Sequence, residues 1–183
     1  MKIDIFNTNK RYNLIYADPP WKQTKGGLRK TRPNQKRELD YQTLSLEDIK
    51  EILLKVQNIT TPNSIMFCWT IEKFLPQTEE ILKELGYKIH ARMIWDKTNG
   101  VAPAFTVRYS HEYLLYCYTG KFTPIATEVR GKFCTVFRER ATKHSKKPQV
   151  AYEIIEAMYP TSSKIELFAR NGRDGWDCWG NEV

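Results

Sequence analysis

The strongest constraint on this chain is a short apolar run that stops abruptly. Tyr12-Asn13-Leu14-Ile15-Tyr16-Ala17 has the length and mostly apolar character of a buried strand, and it closes on Asp18-Pro19-Pro20-Trp21. Proline fixes its own φ, has no backbone N–H to donate, and restricts the residue before it. The tetrapeptide is therefore a stiff corner at a strand end that presents a carboxylate, a backbone carbonyl and an indole. An exocyclic amino group on a planar base requires those features: two acceptors for its two hydrogens and a flat wall for its ring. The plain alternative is a tight turn with Trp21 packed in a core.

The amino group of adenine is a poor nucleophile because its lone pair is delocalised into the ring. Held between the Asp18 carboxylate and the Pro19 carbonyl, the nitrogen is drawn toward tetrahedral geometry and the lone pair localises toward an incoming methyl. Alignment and preorganised dipoles then carry the reaction, and the methyl donor is a sulfonium. This chemistry needs no metal, and the three histidines and four cysteines are scattered, so no metal site is expected. The cysteines, Cys68, Cys117, Cys134 and Cys178, lack ligand spacing and suit a reducing cytoplasm. No apolar stretch reaches transmembrane length, and no leader or lipidation motif is expected.

The rest of the chain reads as alternating strands and helices. Ser45-Leu46-Glu47-Asp48 has capping-box character before the helical spacing Leu46, Ile49, Ile52, Leu53 and Val56. Strands are expected at Ser64 to Trp69, Ile89 to Asp96, Glu112 to Tyr118 and Lys164 to Ala169. Helices are expected from Lys73 to Leu85, with Pro76 in the first turn and Gly86 as the stop, and from Pro148 to Met158. The pattern predicts an α/β three-layer fold with a mostly parallel sheet, spanning residues 1–183 as one domain, with ligands at the carboxyl ends of the strands. The polar stretch 22–40, with Gly26-Gly27 and Pro33, is read as a long mobile basic loop beside the site.

Five further blocks share an order with a known family. Tyr41-Gln42-Thr43-Leu44-Ser45 follows the tetrapeptide, and Ile94-Trp95-Asp96-Lys97-Thr98-Asn99 is central. His144-Ser145-Lys146-Lys147-Pro148, Lys164-Ile165-Glu166-Leu167-Phe168-Ala169-Arg170, and Gly175-Trp176-Asp177 with Trp179-Gly180-Asn181-Glu182 come later. With these blocks the chain resembles the MT-A-70 family of S-adenosylmethionine-dependent N(6)-adenine methyltransferases, especially its short bacterial and phage members. The resemblance implies a Rossmann-like methyltransferase fold with a permuted motif order, the catalytic strand first and the cofactor strand last. It implies catalytic Asp18, Pro19, Pro20 and Trp21, and S-adenosylmethionine held by Asp18, Lys147, Arg170, Asn181 and Glu182. Where some members carry glutamine, this chain has Glu182. It also implies a base pocket walled by Tyr41 and Trp21 and gated by Trp95 and Lys97, although Tyr41 and Trp95 are also plausible packing residues. A cofactor contact that longer members make upstream is expected to be absent or replaced by Ile3 to Phe6.

A net charge of +8 and a pI near 9.3 point to a polyanionic partner. Two basic runs flank the proposed pocket and are expected to meet a nucleic-acid backbone: Lys22, Lys25, Arg29, Lys30 and Arg32, then Arg138, Arg140, Lys143 and Lys146. His111 and Glu112 are read as mid-sheet packing residues rather than an acid–base pair. The reading is an enzyme that methylates the 6-amino group of adenine in DNA. The same reaction on RNA stays open, as do a catalytically silent nucleic-acid-binding subunit of a methyltransferase complex and, separately, assembly into a homo- or hetero-oligomer. A base paired in a duplex must be flipped out first, or the substrate must be unpaired.

Overall fold

A computed structural model describes residues 1–22, 43–99, 107–142, 146–181 and 183. Among these residues seven strands form one sheet: β1 Tyr12–Ala17, β2 Thr60–Thr70, β3 Lys88–Asp96, β4 His111–Tyr118, β5 Val136–Arg138, β6 Lys164–Leu167 and β7 Trp176–Trp179. Their order across the sheet is β5-β3-β4-β2-β1-β6-β7. β1 pairs in parallel with β2 and β6, β6 with β7, and β3 with β5. Only the β4 pairings, with β2 and β3, are antiparallel among the described strands. Helices α1 (Leu46–Val56) and α2 (Leu75–Glu84) cover one face and α3 (Gln149–Met158) the other, which gives the three layers expected.

β1 lies in the middle, which explains its composition. Ile15 and Ala17 pack on one face with Ile49 and Leu53 of α1; Leu14 and Tyr16 pack on the other with Ile154 and Ile155 of α3. A strand buried on both faces reads as an apolar run rather than an alternation. The Ser45 cap forms the reciprocal bonds of a capping box with Asp48, and Pro76 sits in the first turn of α2. Gly86, at φ +80, lets the Tyr87 N–H return to the Leu82 carbonyl at 2.9 Å and ends α2.

Several boundaries differ from expectation. β2 begins at Thr60 rather than Ser64, because a shift in its pairing with β1, between Tyr12 and Leu14, takes up Pro62 and Asn63. A 3₁₀ turn over Glu72–Phe74 precedes α2, so the α-helix starts later than Lys73. β6 stops at Leu167, short of Ala169, because Phe168 turns into the left-handed region at φ 59. β5 and β7 were not read from the sequence at all. They are three and four residues long and lie at the two edges of the sheet, too short for a period-2 pattern to register.

The close of β7 against β6 sets the geometry of the edge where ligands are expected. The Ala169 N–H donates to the Trp179 carbonyl at 2.9 Å. A Cβ at Gly180 would lie 2.2 Å from the Ala169 carbonyl oxygen, so only glycine permits this approach. Gly180→Ala should therefore force the two segments apart and lower stability by about 1–3 kcal/mol. Urea denaturation checks this, and an unchanged midpoint would show that the backbone gives way freely there.

Candidate active site

The carboxyl ends of the parallel strands and the amino end of the reversed β4 share one edge, and the charged residues gather there. Asp18 follows β1, and its backbone N–H donates to the Leu167 carbonyl at 3.4 Å. Lys147, just ahead of α3, places its Nζ 2.9 Å from Asp18 Oδ1 and donates to Glu112 Oε2 at 2.8 Å. Glu112 also accepts from Lys97 Nζ at 2.5 Å, using its other oxygen. The Lys147 ammonium lies 5.2 Å from the centre of the Trp69 ring, and that of Lys97 lies 5.0 Å from Trp95. All four charged side chains are largely buried, from 12% exposed for Lys147 to 18% for Asp18.

The two carboxylates differ although they share one lysine. Burial pushes the Asp18 carboxyl up; Lys147 opposes this and the charge of Glu112 adds to it. Burial also raises Glu112, but Lys147 and Lys97 together outweigh it and hold Glu112 below the usual carboxylate range. Burial disfavours the Lys147 ammonium, and the two carboxylates overcome this and hold it charged. Arg170 is close enough to lower the Asp18 carboxyl as well.

The structure relocates several residues singled out in the sequence. Trp21 is 5% exposed, stacks on Phe74 with ring centres 5.6 Å apart, and donates its indole N–H to the Trp69 carbonyl at 3.3 Å. It packs as core here rather than presenting an open wall. The Pro19 carbonyl accepts the Trp21 N–H at 2.9 Å, which leaves its second lone pair for another donor. The Pro20 carbonyl accepts from Leu44 N–H at 2.9 Å, so the chain leaves and re-enters this corner side by side. Trp95 is buried below the edge and donates its indole N–H to the Glu139 carbonyl at 2.8 Å, as the packing alternative expects. Glu112 is not mid-sheet: β4 runs opposite to its neighbours, so its first residues arrive at the active edge. Lys147 lies inside the charge cluster.

Arg170 and Asn181 flank the β6 and β7 ends at the same edge; Arg170 is half-buried and Asn181 exposed. Phe6 packs edge-on against Trp179 at 5.9 Å, which brings the Ile3 to Phe6 segment beside this end of the sheet. Lys22, Arg140 and Lys146 are exposed, and Arg138 on β5 pairs with Asp96 at 3.0 Å. Lys25, Arg29, Lys30, Arg32, Tyr41, Lys143 and Glu182, and most of the 22–40 loop, lie outside the described residues. Among the described residues no group of three or more His, Cys, Asp and Glu side chains could hold a metal ion, and no helix is long and apolar enough to cross a membrane. An open cavity of about 430 Å³ lies at the other end of the sheet, lined by residues such as Lys10, Tyr12, Ser163 and Asp177, far from the acidic corner.

The mostly parallel seven-stranded sheet with helices on both faces is a Rossmann-like methyltransferase fold. The chain belongs to the MT-A70 family, whose model matches residues 12–182. It is 30% identical to the type II methyltransferase M.MunI of Mycoplasma sp over 95% of this chain and 78% of that protein. It is 28% identical to the Arabidopsis thaliana N(6)-adenosine-methyltransferase MT-A70-like protein and 26% to the human N(6)-adenosine-methyltransferase catalytic subunit METTL3, over 100% and 94% of this chain. Of those two longer relatives the chain spans only 25% and 28%.

Replacing Lys147 with methionine would leave Asp18 and Glu112 buried without their shared cation. Losing one partner of a buried pair costs about 3–5 kcal/mol. The Asp18 carboxyl, already raised by burial, would then rise further above its unfolded value, so the loss grows as pH rises through that raised value and shrinks in acid. Lys147→Met should be destabilised more at pH 8 than at pH 5 relative to the native chain. Equal losses by urea denaturation at both pH values would contradict the pairing.

Proposed function

We propose that this protein transfers a methyl group from S-adenosylmethionine to the 6-amino group of adenine in DNA. The observation that carries this reading is the Asp18 carboxylate, held by Lys147 at the mouth of the sheet next to the Pro19 carbonyl. Asp18 and the free lone pair of Pro19 supply the two acceptors that an adenine amino group needs. S-adenosylmethionine supplies the methyl on a cationic sulfur. The residues present fit that donor: a carboxyl raised by burial gains from a nearby cation, and Arg170 and Asn181 stand at the β6 and β7 ends to take its polar groups.

DNA is favoured over RNA because the chain covers most of a type II methyltransferase but only about a quarter of the adenosine methyltransferases. RNA is the second reading, supported by the likeness to those longer N(6)-adenosine-methyltransferases. The intact Asp18 and Trp21 speak against a silent subunit. Lys22, Arg140 and Lys146, exposed near the same edge, are assigned to the phosphate backbone. The reading is tested with a labelled donor and adenine-containing DNA and RNA, single- and double-stranded, followed by nucleoside analysis. N(6)-methyladenine in DNA is the expected product; label confined to RNA would move the substrate, and no label in any polymer would reject the reading.

Asp18→Ala should lower the rate of methyl transfer by about a hundredfold or more, as loss of a preorganised partner at a reacting atom does. Turnover within a few-fold of the native chain would remove Asp18 from the reaction. Arg170→Ala and Asn181→Ala should weaken donor binding more than oligonucleotide binding. Calorimetric titration of each ligand separates the two, and unchanged donor affinity in both variants would reject the cofactor assignment.

A further inference from the structure

Helix α3 begins beside the active edge without a cap of its own. Pro148 stands at its N-cap position with no side-chain oxygen to offer, and no acid lies in its first turn. Its first N–H groups are met from another element instead. Glu139, the residue after β5, accepts the Gln149 N–H with Oε1 at 2.9 Å and the Val150 N–H with Oε2 at 2.8 Å. A carboxylate that takes two N–H groups at the positive end of a helix is a strong cap. Lys147 is two residues ahead of Gln149, so whatever fixes the start of α3 also fixes where the Lys147 side chain leaves the backbone.

Glu139 is itself tied down. Its N–H donates to the Asp96 carbonyl at 3.3 Å, and its carbonyl accepts the Trp95 indole N–H at 2.8 Å. On one side of it Arg138 pairs with the Asp96 carboxylate at 3.0 Å. On the other, the Asn99 amide donates to the Ala141 carbonyl at 2.9 Å and accepts the Ala141 N–H at 3.1 Å. Between Asp96 and Asn99 lie Lys97, which grips Glu112, and Thr98, held in the left-handed region at φ 56. A β-branched residue keeps that conformation only where its surroundings over-determine it. The strap 138–141 thus joins both cations of the charge cluster: Lys97 through the end of β3, and Lys147 through the start of α3.

We propose that Glu139 is the positioning residue for Lys147. The part of this that concerns rate rests on the methyl-transfer reading. With the Glu139 carboxylate in place the first turn of α3 is fixed, and the Lys147 ammonium comes to rest 2.9 Å from Asp18 and 2.8 Å from Glu112. Without it, Gln149 and Val150 lose their acceptors and the first turn frays. The long, flexible lysine then has no fixed origin from which to reach two buried carboxylates, and Asp18 loses the partner that holds it at the reacting position. A small displacement at a reacting site costs rate out of proportion to the distance moved.

The test is a double-mutant cycle of Glu139→Ala, Lys147→Met and the two combined, read in two ways. The first reading is the urea midpoint, which needs no activity. Glu139→Ala should lower the midpoint of the native chain, and lower that of Lys147→Met by clearly less, because the contacts of the lysine are already gone. Equal shifts in both backgrounds would make Glu139 a helix cap and nothing more, and would overturn the proposal. The second reading is the single-turnover rate of oligonucleotide methylation with saturating donor. Glu139→Ala should slow it about tenfold or more, and should slow the Lys147→Met enzyme no further. Losses that multiply would overturn the proposal as well. Glu139→Gln keeps one side-chain carbonyl for one of the two N–H groups, so it should fall between the native chain and Glu139→Ala in both readings. It takes the place of Glu139→Ala in the cycle if that variant does not fold, and Lys147→Gln stands in for Lys147→Met on the same ground. A native chain that methylates nothing rejects the methyl-transfer reading, while the urea cycle still decides whether Glu139 acts through Lys147.

Discussion

The Lys147 ammonium between Asp18 and Glu112 is the interaction on which the active edge depends. A charge this deeply buried is tolerated only with good partners, and its partners come from three elements. Asp18 closes β1, Glu112 opens β4 and Lys147 leads into α3. One cation therefore ties the central strand, the reversed strand and a covering helix at a single point. It also sets the chemistry, because it opposes the burial that pushes the Asp18 carboxyl up. Lys97 performs the same service for Glu112 from the end of β3, so the cluster contains as many cations as anions and needs no outside counterion.

The backbone around this cluster is shaped by contacts that few residues permit. Phe168 holds a left-handed conformation that a bulky side chain rarely adopts. Its ring is kept in place by an edge-on contact with Trp179 at 5.7 Å. That turn ends β6 directly after Leu167, whose carbonyl receives the Asp18 N–H. The strained residue, the close Gly180 approach and the acidic corner are thus mechanically joined. Local strain of this kind persists where surrounding packing over-determines it.

Much of this was legible in the residues. The apolar run before Asp18, the capping box at Ser45, the proline in the first turn of α2 and the glycine after it each follow from local stereochemistry, and each stands where the sequence placed it. The short edge strands β5 and β7 were not legible, because three or four residues carry no periodicity. Glu112 was misread because its role depends on strand direction. In a parallel neighbour its position would lie at the far end of the sheet, and nothing within His111 to Tyr118 announces that β4 is reversed. Trp95 and Trp21 stayed open between a ligand wall and a packing residue, because an indole near a site fits either, and only the fold shows how deeply both are buried.

The sequence alone determined the family, the order of the motifs and the identity of the acid at the strand end, because these rest on residue types and spacings along one chain. The tertiary structure alone decided which lysine meets which carboxylate and that Glu112 belongs to the site. Lys147 is 129 positions after Asp18. Buried electrostatics depends on distance through space and on lost solvent, and neither is written in the linear order of residues.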